Sequence, residues 1–149
     1  MKIRNIYNKE HFSVELGTSI KEALRMLVKD EVNGLLIINS DKQLVGVLSL
    51  QDIAAAIIPF EMKEHLNLAS SMYKTSFFSE QCDKIKHKKV EEIMRTNLIK
   101  VSPESNIMEI VADFLKNDLY IVPVYENEQL VGVITRTEIK KALADAMNT

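Results

Sequence analysis

Hydrophobic and polar positions follow two alternating periods along this chain, and the same succession of periods occurs twice. Ile20, Ala23, Leu24, Leu27 and Val28 stand at i, i+3, i+4, i+7 and i+8, the stripe of an amphipathic helix. Ile107, Ile110, Val111, Phe114 and Leu115 repeat those spacings without change. Thr18 and Ser105 stand just before the stripes, where a hydroxyl can accept a hydrogen bond from an unpaired helix N–H. Each stripe is followed by a short apolar run, Leu35–Ile38 or Ile121–Tyr125, of a length suited to a buried strand. Polar turns at Asn39–Lys42 and Glu126–Glu128 lead into Leu44–Leu48 and Leu130–Ile134, which predicts two hairpins. Ile53, Ala56 and Ile57, matched by Ile139, Ala142 and Leu143, mark a closing helix. Short strands near Phe12–Val14 and Leu98–Val101 open each unit.

The two units are copies. A shift of 87 places lays Ile6 on Ile93, Val14 on Val101, Ile20 on Ile107 and Glu22 on Glu109. One deletion near Gly34 changes the shift to 86, and Gln43-Leu44-Val45-Gly46-Val47 then falls on the identical Gln129-Leu130-Val131-Gly132-Val133. Three of the four glycines, Gly34, Gly46 and Gly132, sit at turn-like places in the repeated units, which suggests backbone requirements there. A single copy of about 55 residues buries too little surface to be comfortable alone. The expected fold is therefore α/β (α+β): two tandem β-α-β-β-α repeats packed through their sheets about an approximate twofold axis. The expected boundaries are 1–58, a helical insert over 59–89, and 90–149. In the insert, Met62, Leu66, Ala69 and Tyr73 have helical spacing, as do Phe78, Cys82 and Ile85, with a break near Lys74-Thr75-Ser76. The Lys84–Lys89 run reads as the solvated end of a helix, with a basic docking patch as the alternative.

Composition narrows the function classes. Hydrophobic residues make up 46% and charged residues 27%, ordinary values for a globular domain. A net charge of −2 gives no electrostatic reason to expect a nucleic-acid partner. The apolar stretch Ile53–Phe60 is broken by Pro59 and falls short of the roughly 20 residues that span a bilayer. The N-terminus lacks the apolar run of a secretion signal, so no membrane association and a cytoplasmic location are expected. Cys82 is the single cysteine and cannot form an internal disulfide, in keeping with a reducing compartment. His11, His65 and His87 are scattered, and no phosphate loop, zinc spacing or nucleophile elbow is present. Catalysis is therefore not expected.

The duplicated unit resembles the cystathionine-β-synthase (CBS) repeat. So do the strings Leu44-Val45-Gly46-Val47-Leu48-Ser49 with Asp52, Leu130-Val131-Gly132-Val133-Ile134-Thr135, and the lead-in Val90-Glu91-Glu92-Ile93-Met94. The resemblance implies a disc-like pair, dimerised with a second pair, binding an adenosyl ligand such as AMP, ADP, ATP or S-adenosylmethionine in clefts between repeats. It implies no required cofactor and a separate, unidentified regulated protein.

The family's nucleotide signature is Gly, two residues, Ser or Thr, two residues, Asp or Asn. Gly46 through Ser49 to Asp52 fits it completely. Ser49 at a strand-to-helix junction could serve a phosphate, and the Asp52 carboxylate could take both ribose hydroxyls. Adenine would lie against Gly34, Leu35 and Leu36. The second copy carries Thr135, Arg136 and Glu138, with glutamate in place of aspartate, and Tyr120, Ile121 and Val122 would line its cleft. Both Ser-x-x-Asp and Thr-x-x-Glu are also capping boxes, a role that needs no ligand. The expectation is one competent cleft at Ser49 and Asp52 and a reshaped one at Thr135 and Glu138. The alternative is a ligand-free dimerisation or partner-binding module.

Overall fold

The computed structural model describes residues 1–59, 62–63 and 76–148. The first copy runs β1 (Ser13–Glu15), α1 (Ile20–Asp30), β2 (Gly34–Ile38), β3 (Leu44–Ser49) and α2 (Leu50–Ala56). Helix α3 (Phe77–Ile85) follows in the insert. The second copy runs α4 (Ile107–Asn117), β4 (Ile121–Glu126), β5 (Gln129–Thr135) and α5 (Arg136–Ala146). Its opening strand shrinks to one parallel bridge, Val101 to Val124, where β1 pairs in parallel with β2 in the first copy. Leu66, Ala69 and Tyr73 of the expected first insert helix lie outside the described residues, as do His65, Lys74 and Thr75.

Both hairpins carry the same irregularity. The β2–β3 register shifts between Ile37 and Ile38, leaving Val45 as the extra residue, and the β4–β5 register shifts between Val124 and Tyr125, leaving Val131. A bulge conserved between the copies bends both strands alike. The second hairpin turns at Asn127 and Glu128, both with positive φ (52° and 65°), the geometry that suits strand twist. The helix caps sit one residue later than the sequence suggested. Ser19 accepts from the Glu22 N–H and Asn106 from the Met108 N–H, while Thr18 donates to the Glu15 carbonyl and the Ser105 hydroxyl accepts from the Ser102 N–H.

The core has three parts. Val14, Ile20, Ala23, Leu27, Leu35, Ile37, Leu48 and Ile53 fill the space between helices and sheet in the first copy. Ile110, Phe114, Val122, Val124 and Ile134 do so in the second. Leu36, Val47, Ile121 and Val133 form a smaller cluster where the two sheets face each other, so the copies pack through their sheets.

The segments that precede each copy are exchanged. Ile3, in a 3-10 turn over Ile3–Asn5, is fully buried in the second copy's core. Its N–H donates to the Ser105 carbonyl, and Asn8 and Val133 exchange backbone hydrogen bonds of 2.8 and 2.9 Å. Lys2 and Arg4 pair with Glu104, and Arg4 also with Glu126. Reciprocally, Val90 is buried in the first copy's core, Arg95 and Val47 exchange backbone hydrogen bonds, and Glu91 accepts from the Gly17 N–H. This exchange explains two glycines. Gly46 and Gly132 lie within strands, not at turns, and a Cβ on Gly132 would stand 2.3 Å from the Asn8 oxygen. On Gly46 it would stand 2.5 Å from the Met94 sulfur.

The apolar stripes of α1 and α4 are wider than the chain's own core needs. Ile20, Ala23 and Leu27 are buried, as are Ile110 and Phe114, yet Val28 is 72% exposed and Leu115 is 82% exposed. Among the described residues no helix is long and apolar enough to cross a membrane.

Candidate functional site

The junction between the copies holds a cavity of about 320 Å³, near the lower end of the range for small-molecule sites. Five pieces of chain enclose it, one of them Leu50 and Gln51 at the start of α2, between Ser49 and Asp52. The N-terminal lead-in gives Asn8, Glu10, His11 and Phe12, and the turn after α1 gives Glu31 to Gly34. The start of β4 gives Tyr120 and Ile121, and the end of β5 with the first turn of α5 gives Thr135, Arg136 and Glu138. The turn after α1 is shaped by Glu31 in the left-handed conformation (φ 53°), which ends the helix and sends the chain into β2.

Of the residues singled out in the sequence, Gly34, Tyr120, Ile121, Thr135, Arg136 and Glu138 meet around this cavity. Leu35, Leu36 and Val122 do not line it; their side chains are fully buried in the hydrophobic clusters. Ser49 and Asp52 do not line it either. The cavity therefore opens beside the second copy's signature.

The reason lies in who holds each carboxylate. Asp52 Oδ2 accepts from the Ser49 N–H (2.8 Å) and the Ser49 hydroxyl (3.0 Å), and the Asp52 N–H donates to the Ser49 hydroxyl oxygen. This is a complete capping box. The other oxygen, Oδ1, accepts from Arg95 Nε at 3.0 Å. Ser49 is itself buried, so neither its hydroxyl nor the helix amide it caps is open to a phosphate. Thr135 and Glu138 form the same box, with Oε1 accepting from the Thr135 N–H and hydroxyl, each at 3.0 Å. There Oε2 takes no hydrogen bond from the described residues. Glu138 is buried at the cavity wall, a carboxylate with half its acceptor capacity unspent.

Arg136 lies over the Tyr120 ring, 4.2 Å from its centroid, and is exposed at the cavity rim. The Tyr120 hydroxyl donates to Asp118 Oδ1 at 2.9 Å. Burial first, and then that hydrogen bond, hold the Tyr120 phenol above its ordinary range, so it stays a neutral donor near neutral pH. His11 adds a group that sequence reasoning passed over. Its Nδ1 is buried without a hydrogen-bond partner among the described residues, at a cavity wall. A buried orphan of this kind is unusual.

The profile of the CBS domain matches residues 3–59 and again residues 90–145. The chain belongs to the CBS domain family. Over 145 residues this CBS pair is 28% identical to the uncharacterized protein MJ1232 of Methanocaldococcus jannaschii, a match covering 97% of this chain and 40% of that protein. The CBS domain pair of MJ0100, solved with 5'-methylthioadenosine and S-adenosyl-L-methionine, aligns at a TM-score of 0.69 and 25% identity over 96% of this chain and 99% of that one. CBSX2, solved with AMP, shares the fold at a TM-score of 0.68 and 23% identity over 98% of each chain. The tandem β-α-β-β-α architecture is thus the CBS pair's.

Two residues outside the signature distinguish the two clefts of this CBS pair. Asn8 and Arg95 occupy matching places in the exchanged lead-ins, and only Arg95 reaches a signature carboxylate. The 87-residue shift that reveals the duplication already pairs them.

Proposed function

We propose that the chain is a non-catalytic regulatory module that binds an adenosine-containing ligand of the AMP, ADP, ATP or S-adenosylmethionine type in the cavity at Glu138. The observation that carries this reading is the Glu138 Oε2 left without a hydrogen bond among the described residues, on a residue that lines an inter-copy cavity whose one cation is Arg136. Glu138 takes a ribose hydroxyl, Arg136 takes a phosphate, and the base lies against Ile121 and the lead-in. The ligands seen in the MJ0100 pair and in CBSX2 support the same chemical class. The ligand would act by binding one arrangement of the copies better than another, which a separate protein then reads. The free Cys82 fits a reducing, cytoplasmic setting.

Calorimetric titration with AMP and adenosine tests the site. Arg136→Ala is expected to weaken AMP about tenfold, roughly 1.4 kcal/mol for an exposed charge-assisted contact, and to leave adenosine unchanged. Equal losses for both would remove the phosphate role of Arg136. If AMP, ADP, ATP and S-adenosylmethionine all fail to bind the unmodified chain, the ligand-free alternative holds instead.

The exposed apolar residues of the four repeat helices α1, α2, α4 and α5 favour a homodimer as the working unit. Leu24, Val28, Leu50, Leu115 and Leu143 leave apolar surface in water that a second copy would cover. The double substitution Val28→Glu and Leu115→Glu is expected to halve the mass seen by light scattering without unfolding the chain. An unchanged mass would place the contact elsewhere.

A further inference from the structure

We propose that Arg95 is a built-in occupant of the cleft at Ser49 and Asp52, so that each chain offers one adenosyl site and keeps a second latent behind that side chain. For the class of ligand, this rests on the function proposed above.

The two lead-ins dock identically. Asn8 pairs through its backbone with Val133, Arg95 pairs through its backbone with Val47, and Val47 and Val133 are matching residues of β3 and β5. The twofold relation therefore presents the Asn8 side chain to the Glu138 cleft and the Arg95 side chain to the Asp52 cleft. Asn8 is short and neutral, and its Oδ1 turns back to accept from the Glu10 N–H. Arg95 is long and cationic. Its Nε meets Asp52 Oδ1 at 3.0 Å, and its Nη1 donates to the Asp118 carbonyl at 3.2 Å, at the end of α4 where the helix dipole is negative. Its guanidinium also stands 5.9 Å from the Tyr120 centroid.

With Ser49 on Oδ2 and Arg95 on Oδ1, the Asp52 carboxylate has no oxygen free of a partner. One acceptor site remains on Oδ1, and a ribose hydroxyl would have to reach it past the guanidinium, on an Asp52 side chain that is only 10% exposed. The Arg95 side chain is 37% exposed, so it can leave for water without disturbing the core. That combination makes the second site latent and not absent. The open cleft meets no such obstacle, because no cation reaches Glu138 among the described residues.

The experiment exchanges the two residues in the full chain and counts bound ligand by calorimetry with AMP and S-adenosylmethionine as probes. The unmodified chain is expected to bind one ligand, Arg95→Asn to bind two, and Asn8→Arg to lose the first site. Two ligands on the unmodified chain, or no added site in Arg95→Asn, would overturn the proposal. If the unmodified chain binds none and Arg95→Asn binds one, the proposal stands while the reading of the open cleft falls. One ligand on each is the converse: the open cleft stands and the occupant role falls. Arg95→Gln, which keeps more of the stem packed, is the second variant should Arg95→Asn fail to fold, with the same counts expected.

Discussion

Gly132→Ala is expected to lower the free energy of unfolding by about 3 kcal/mol, at the upper end of the cost of overpacking a close contact. At roughly 2–4 °C per kcal/mol for a chain of this size, the melting temperature falls by about 6–12 °C. The added methyl would stand 2.3 Å from the Asn8 backbone oxygen and 2.6 Å from the Tyr7 ring, and a residue whose N–H and carbonyl are both bonded to Val133 cannot give way alone. The whole N-terminal segment must lift, exposing Ile3 and breaking the pairing with Val133. Gly46→Ala is expected to cost less, about 1–2 kcal/mol, because its nearest neighbour is the thioether of Met94, the flexible end of a side chain. Thermal melts followed by circular dichroism compare them. Equal melting temperatures for Gly132→Ala and the unmodified chain would mean that the docked segment is not part of the cooperative fold.

Asp52→Ala is expected to destabilise the fold by about 2–3 kcal/mol while leaving ligand affinity within about twofold. Two losses combine: the cap of α2, worth about 1 kcal/mol, and the charge-assisted contacts to Arg95 and Ser49, worth about 1.5–3 before solvation returns part of it. Solvation returns some because the Arg95 guanidinium remains partly in water. Asp52→Asn keeps a capping oxygen and is expected to cost only about 1 kcal/mol. Chemical denaturation measures the first effect and titration with AMP the second. A tenfold loss of AMP affinity in Asp52→Ala at unchanged stability would return the ribose contact to the first copy's signature.

Much of the fold was legible in the residues because periodicity is a local property. The stripe from Ile20 to Val28 and its duplicate from Ile107 to Leu115 gave helices α1 and α4, and five consecutive identities placed β3 on β5. The caps were misplaced by one residue because Thr18 and Ser19 are both hydroxyl residues. Which of them accepts from the helix depends on backbone angles that residue type does not dictate. The exchange of lead-ins was not legible, since nothing local says that residues 3–8 pack on residues 105–134. Its one trace was a glycine in the middle of each second hairpin strand, which the sequence could only mark as a backbone requirement. The hold on the first signature was not legible for a related reason. The signature residues differ by a methylene, Asp52 against Glu138, but the residue that pairs with Asp52 lies 43 positions away, on a segment brought there by tertiary docking.

The mutual loan of opening segments also limits how this molecule can move. Each half is pinned to its sibling at two distant places, by Ile3 under one sheet and by Val90 under the other. A clamshell swing about a single hinge would tear out both anchors at once. Motions that keep both seated are small sliding displacements of one sheet across its neighbour, so any signal this protein sends upon filling its pocket travels as shear.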